Sequence, residues 1–419
     1  GPRRAGADAG CPPPPPPPPP PRGGGGGLAP VSGNPFPPAG APPPPPAAPR
    51  KARSARPAAA SAPSRAESIA AARKLLLGQL EASGAGSWDA WSASVEPFRA
   101  ALRERIAAAK PSNPQAKGYS EARYEVLESL GEPPRFEAWP SSYVRYVANA
   151  PVSTAEFLTR TAFVSSIEAI SRWLASCGVD LIFVPVPKMT EVYPDEMVSG
   201  APADRIVAPQ MRRAIFELLE RNVEVVDLLP LFLEARTRPG TPSLYQHADP
   251  HWAWEGQKIA VEEIVRRLRR YPEVRKALAA PRRFRTWTER RDLTAISAAF
   301  GALTPEQARR VKPFLTANLE LAAPLGDTPL ASDTSPIALA GDSYNNGLEG
   351  GLAARLNMPI RDLHASGGSL APFKDLLRDP ESMKSMKVLV FLVNNQGLWE
   401  FPATLPGEIA KHAAPRPPA

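Results

Sequence analysis

The chain predicts an α/β protein, a parallel β-sheet with helices on both faces. Three observations carry this. Short, almost purely apolar runs such as Leu181 to Val186 and Val388 to Val393 recur, and strands buried on both faces have this character. Helix-period segments alternate with them, which implies right-handed strand–helix–strand crossovers. A glycine turn, Gly341-Asp342-Ser343, joins one such run to a helix. That places polar side chains at the carboxyl edge of the sheet, where open α/β sheets bind ligands.

Taken in order, residues 1–63 predict a disordered, basic Pro/Gly-rich arm. The first 65 residues hold 23 of the 54 prolines, ten of them consecutive from Pro12 to Pro21, followed by five glycines from Gly23. Such a segment buries too little apolar surface to fold. The proline tract predicts a stiff polyproline II rod of about 31 Å, and the glycines a flexible joint. The same 65 residues carry eight Lys/Arg against one Asp, which is +7 of the formal +8. The preferred reading is a solvated linker; the alternative is a basic arm for an anionic polymer or a membrane surface. Residues 64–110 predict a helical hairpin. Ser64-Arg-Ala-Glu67 is a capping box, Gly84 to Ser87 break the first helix, and a second runs from Trp88 to Ala109.

Beyond residue 110 the alternation begins. Thr154 to Ser176 predicts a helix and Leu181 to Val186 a strand. Ala208 to Asn222 predicts a helix, Val223 to Leu228 a strand, and Gly256 to Arg270 a strong helix. Residues 282–332 interrupt the pattern. Thr304-Pro-Glu-Gln307 carries the cap, N1 proline and N3 glutamine of a helix start, so this insert predicts as helical. Pro336 to Ala340 then predicts a strand, Leu348 to Leu356 a helix, Pro359 to Leu363 a short strand, Phe373 to Leu377 a helix and Val388 to Val393 a strand. Cys177, in an apolar helix, predicts a buried free thiol. Two cysteines imply no disulfide framework.

The chemistry is carried by two short motifs about ninety residues apart, Asp249-Pro250-His251-Trp252 and Gly341-Asp342-Ser343. A serine hydroxyl needs an imidazole to take its proton, and the imidazole needs a carboxylate to fix its tautomer. In extended chain, Asp249 and His251 point to the same face. Ser343 is the candidate nucleophile, His251 the base and Asp249 its orienter. From its local pattern alone Ser343 reads first as a helix cap; the Asp-His motif and the family resemblance given below turn the reading to a nucleophile. A metal-site reading would use His247, Asp249 and His251, but Pro250 disfavours the helical i, i+4 pairing of such histidines. No metal or other cofactor is therefore expected. Trp252 reads as a core aromatic fixing the loop, and Asp342 as a side chain that orders the turn through backbone bonds.

These residues resemble the SGNH (GDSL-like) hydrolase superfamily, and within it the alginate O-acetyltransferase AlgX/AlgJ-type domain. The Asp-x-His-Trp motif upstream of the Gly-Asp-Ser block carries the resemblance. Leu181-Ile-Phe-Val-Pro-Val-Pro-Lys188, Val192-Tyr193-Pro194, Val223 to Leu228, Leu244-Tyr245 and Gly256 agree with it. The resemblance implies an SGNH-like, flavodoxin-like three-layer domain over 111–412, with the insert at 282–332 and a tail at 413–419. It also implies acetyl transfer to polysaccharide hydroxyls, with Asp-His before Ser in chain order. Triads recur in any order.

The resemblance also proposes oxyanion donors: the Ser343 backbone amide, with Asn394 and Asn395 after the last strand. Gly367, Gly368, Asn345 and Asn346 compete for that role. His247, Tyr193 and Lys188 are substrate-binding candidates, each with a plain packing or surface alternative. The implied partners are a polysaccharide acceptor and an acetyl donor, either a partner protein or a small ester, with membrane-associated export machinery as a further class. Nothing in the sequence carries a nucleic-acid-binding signature. An esterase using water, or a non-catalytic polysaccharide-binding or assembly protein, are the alternatives. The family implies the periplasm or cell envelope. The chain shows no run of eighteen apolar residues, so no transmembrane helix is expected. It also shows no signal-peptide pattern, which leaves three readings: a start further upstream, another export route, or a different location.

Overall fold

The computed structural model describes residues 62–108 and 162–413, apart from 199, 246–250, 293–315, 328, 366–369, 396–397, 399–400 and 402–403. The predicted arm, the start of the predicted helix at 154–161, the capping signal at Thr304–Gln307 and the tail beyond 413 lie outside these residues.

Five strands form one parallel sheet: β1 (Asp180–Val186), β2 (Glu224–Val225), β5 (Ile337–Gly341), β6 (Arg361–Asp362) and β7 (Val388–Asn394), in the order β2-β1-β7-β5-β6. Every pairing is parallel. β7 lies in the middle, with Val186 opposite Asn394 and Gly341 opposite Leu392. The order becomes familiar when counting starts at β5 and wraps around the chain. β5, β6, β7, β1 and β2 then stand as 2-1-3-4-5, the flavodoxin-like order. The fold is the expected three-layer α/β sheet, with the chain opened at a different connection. That is why the Asp-His loop precedes the serine in sequence.

Alternation along the strands separates two cores. Ile182, Val184, Leu339, Val390 and Leu392 face one side. Leu181, Phe183, Ala340, Leu389 and Phe391 face the other. The first is covered by α9 (Trp254–Leu268) and α11 (Leu348–Leu356), among others. The second is covered by α4 (Ala162–Ser176), α7 (Pro209–Glu220), α12 (Ala371–Arg378) and α13 (Leu405–Ala413). Each fully buried strand side chain contributes about 1.5–3 kcal/mol, so the two faces together hold the sheet.

α1 (Arg65–Ala82) has its capping box in place, with the Glu67 amide donating to Ser64 Oγ and Glu67 Oε2 accepting from the Ser64 amide. Its Ile69 and Leu76 join the second core. Arg65 donates to Asn222 O and pairs with Asp180. The predicted second helix is in fact two, α2 (Trp88–Ser94) and α3 (Glu96–Ala108). Pro97 has no N–H to continue the ladder, so it begins a helix and does not sit inside one.

Three further expectations are corrected. The insert at 282–332 is a β-hairpin in its described part: β3 (Phe284–Asp292) pairs antiparallel with β4 (Thr316–Pro324) in one register of nine pairs. Local capping signals cannot report a pairing made across the intervening residues. The strand predicted for Val223 to Leu228 is only Glu224–Val225. There Asp227 turns to accept from Arg212 and from the Leu229 amide, which opens α8 (Leu229–Thr237). Cys177 is exposed. α4 ends at Ser176 and Gly178 takes φ +75°, so the turn carries Cys177 off the buried face. Among the described residues no helix is long and apolar enough to cross a membrane.

Candidate active site

The carboxyl ends of β5, β7 and β1 converge, and backbone geometry builds the site from there. Gly341 ends β5 at φ +143°, and a Cβ there would lie 1.7 Å from Leu392 O of β7. Only glycine fits so close an approach. Asp342 orders the turn beyond it. Its Oδ1 accepts the Tyr344 amide at 3.0 Å and its Oδ2 accepts the Asn394 amide at 2.9 Å. One carboxylate thus fixes both the turn and the end of the neighbouring strand. Ser343 opens a single 3₁₀ turn, Ser343–Asn345. The Asn345 and Asn346 amides close that turn on Asp342 O and Ser343 O.

His251 meets the serine from the other side. Its Nε2 lies 2.9 Å from Ser343 Oγ, across 92 residues of chain. The imidazole packs on the Tyr344 ring at 4.7 Å between centroids. Trp252 is buried and bridges Tyr245 across the loop, so it anchors the histidine as a core aromatic. Tyr245 OH donates to Pro187 O at the end of β1, and the Leu244 amide donates to Tyr193 OH at 3.0 Å. Gly256 completes the clamp. A Cβ there would come within 2.7 Å of Leu244 O, so α9 can begin directly under the loop. Asp249, Pro250 and His247 lie outside the described residues.

The other candidates separate by their partners. Tyr193 is buried and its hydroxyl holds the 244–245 segment, a packing position. Asn395 is buried, its amide donating to Val186 O and its Nδ2 to Glu191 Oε2 at 2.8 Å. It ties β7 to the segment after β1, and its amide group is turned away from an oxyanion role. Asn394 lends its backbone amide to Asp342. Asn345 is fully buried, with Nδ2 donating to Asp342 O and Leu392 O, both at 2.9 Å; it holds the turn. Gly367 and Gly368 lie outside the described residues.

Lys188 caps α5 (Met189–Val192), which leads directly into α6 (Pro194–Met197). The Lys188 backbone N–H donates to Glu191 Oε2 at 2.7 Å. Loss of solvation brings its ammonium down to about 8, against the pull of Glu191. Burial in turn raises Glu191 above its ordinary value, with the bonds from Lys188 and Asn395 opposing.

Sequence reading passed over one group. Asp362-Leu-His364 repeats the Asp-x-His step at the end of β6, and His364 Nε2 faces Asn346 Oδ1 at 2.8 Å. The step itself was the available signal; its partner, eighteen residues away, was not.

A serine on a strand–helix turn, in contact with a histidine from a separate loop on a sheet of this order, defines an SGNH-hydrolase-like α/β protein. Residues 148–403, more than half of the chain, match the family model described as an SGNH hydrolase-like domain, acetyltransferase AlgX. The chain belongs to that family. The chain is also similar to two solved structures. One is the O-acetyltransferase domain of Pseudomonas putida AlgJ, at 21% identity over 63% of this chain and 94% of that one, with a TM-score of 0.45. The other is Pseudomonas aeruginosa AlgX, at 15% identity over 61% of this chain and 62% of that one, with a TM-score of 0.43. At that distance they add nothing to the family match. No curated protein matches the chain in sequence.

Proposed function

We propose that the chain transfers acetyl groups to the hydroxyls of a polysaccharide through an acyl-enzyme on Ser343. The observation that carries this is the 2.9 Å contact between His251 Nε2 and Ser343 Oγ. His251 takes the Oγ proton as Ser343 attacks the acetyl carbonyl. The Oγ–carbonyl bond forms, the donor's C–O bond breaks, and the proton passes to the departing oxygen. A sugar hydroxyl then gives its proton to His251 and attacks the acyl carbon, and Ser343 leaves as the restored hydroxyl. Asp249, two residues before His251, is its orienting carboxylate in this reading.

Developing negative charge falls at the start of the Ser343–Asn345 turn. The Tyr344, Asn345 and Asn346 amides there already have acceptors. The Ser343 amide is left to face an oxyanion. The donor is an acetylated partner protein or a small ester, and the setting is the periplasm or cell envelope, with export machinery nearby. An alginate-like exopolysaccharide or a cell-wall glycan fits the family.

Acetyl release from a chromogenic acetyl ester, with and without uronate-rich oligosaccharides, tests the proposal in wild type and Ser343→Ala. We expect Ser343→Ala to lose about a thousandfold or more in rate, and wild type to leave acetyl on the sugar. Free acetate alone would make the protein an esterase. No Ser343-dependent release from any donor would leave a non-catalytic polysaccharide-binding protein.

A further inference from the structure

Asp362 and His364 form a second carboxylate–imidazole pair that the chemistry above does not use. β6 is two residues long, and backbone bonds carry the chain on along β5: Leu363 N to Leu339 O at 2.8 Å and Ala365 N to Gly341 O at 3.0 Å. His364 therefore stands level with the glycine that begins the Ser343 turn. Its ring is held at both nitrogens. Nδ1 faces Asp362 Oδ1 at 2.6 Å, and Nε2 faces Asn346 Oδ1 at 2.8 Å. Both facing atoms are acceptors, so both contacts are satisfied only when each ring nitrogen carries hydrogen, which is the imidazolium. Asp362 Oδ1 also accepts the His364 amide at 3.2 Å, so the pair is preformed by its own backbone.

Asn346 is where this pair reaches the site. Its amide donates to Ser343 O at 3.2 Å, closing the nucleophile's turn. Its carbonyl receives a long contact, 3.5 Å, from Gln257 Nε2. Gln257 lies on α9, the helix that starts just after His251. Asn346 thus touches the serine's turn, the helix behind the base, and His364.

We propose that His364, as an imidazolium held by Asp362, is a positioning residue for acetyl transfer: it grips Asn346 and so holds the Ser343 turn in register with His251. The inference rests on the Ser343–His251 reading. Three carboxyl groups face the ring: Asp362 from its own strand, Glu349 from α11 and Asp342 from the nucleophile turn. The hydrogen bond His364 donates to Asp362 raises its pKa above the ordinary value, partial burial works against it, and the charges of Asp362, Glu349 and Asp342 raise it further. A raised pKa means that the brace is present below it and is lost as pH rises through it.

Two measurements on the full chain test this. The first is an NMR titration of ¹⁵N-labelled imidazoles; with four histidines in the chain, His364→Gln assigns the signal. The second is kcat/KM against pH for a chromogenic acetyl ester, in wild type, His364→Gln and Asn346→Asp. We expect His364 to titrate above the ordinary histidine range with both nitrogens protonated, and wild-type kcat/KM to fall on the alkaline side with the same midpoint. His364→Gln should be about tenfold slower in kcat below that midpoint, with KM little changed and no alkaline step. Asn346→Asp, which sets a carboxylate in hydrogen-bond contact with Nε2 as Asp362 is with Nδ1, should move both midpoints upward.

A His364 that stays neutral near pH 6 with a bare Nε2 would mean that Asn346 presents its NH₂ group, and would overturn the proposal. So would an alkaline limb unchanged in His364→Gln. If that variant does not fold, the wild-type titration and the Asn346→Asp profile decide. Failure of the underlying reading is separate, because it appears as wild-type acetyl release from Ser343→Ala.

Discussion

Ser343 and His251 stand 92 residues apart in the chain, yet each is placed by neighbouring side chains. Asp342 and Asn345 hold the serine's turn; Trp252, Tyr245 and Gly256 hold the histidine's loop. Lys188 differs because its backbone is occupied while its ammonium is partly desolvated, with a pKa lowered to about 8. A base whose pKa is lowered keeps its charge only below that value. If Lys188 meets an anionic sugar, KM for a uronate-rich acceptor should rise as pH passes about 8, while KM for a neutral acceptor stays level. Lys188→Met should raise the uronate KM about tenfold at pH 7 and abolish that pH dependence. Steady-state kinetics on paired acceptors decide it; equal pH profiles for both acceptors would remove Lys188 from the binding site.

Among the elements, the short connections do the positioning. Asn357 closes α11 in the left-handed region, at φ 57°. Its Oδ1 accepts the Arg283 amide at 2.7 Å, and its Nδ2 donates to Ala277 O at 2.7 Å and Pro281 O at 3.0 Å. One side chain therefore joins α11 to α10 (Pro272–Ala279) and to the entry of the β3–β4 hairpin. Asn357→Ala should cost about 2–4 kcal/mol in urea unfolding, from lost hydrogen bonds and a strained backbone. Asn357→Gly relieves the strain alone and should recover about 1 kcal/mol of that. Equal losses for the two variants would show that the conformation costs nothing. The same hairpin is fastened by Arg355, which meets both oxygens of Glu320 at 2.9 Å. That pair is only half-buried, so we assign it little net stability.

Among the described residues, two cores and a buried ion pair beside β2 hold the sheet and its helices together. Arg212 of α7 meets both oxygens of Asp227, and both side chains are buried. Desolvation pushes the Asp227 carboxyl upward while Arg212 pulls it down. Removing one partner leaves an uncompensated charge, so Arg212→Met should destabilise by about 3–5 kcal/mol. The double variant Arg212→Met/Asp227→Leu should lose much less. Denaturant midpoints of the single and double variants test this, and a double variant as unstable as the single would contradict it. The cyclic strand order also belongs to this scale. It brings His251 and Ser343, 92 residues apart in the chain, to one edge of the sheet.

By itself the sequence determined the class of fold and the two chemical motifs. Continuous apolar runs mark strands buried on both faces, and Gly-Asp-Ser and Asp-Pro-His-Trp are local patterns whose residue types carry their meaning within a few positions. Even there, cues failed where the deciding partner lay far off. Residues 284–292 became a strand because 316–324 pairs with them, and Cys177 turned outward because α4 stops one residue earlier. Tertiary structure alone decided that β7 runs between β1 and β5 and that Asn395 serves Glu191. It alone brought His364 against Asn346. These depend on which strand ends meet at the sheet's carboxyl edge, a matter of long-range packing that no window of sequence contains.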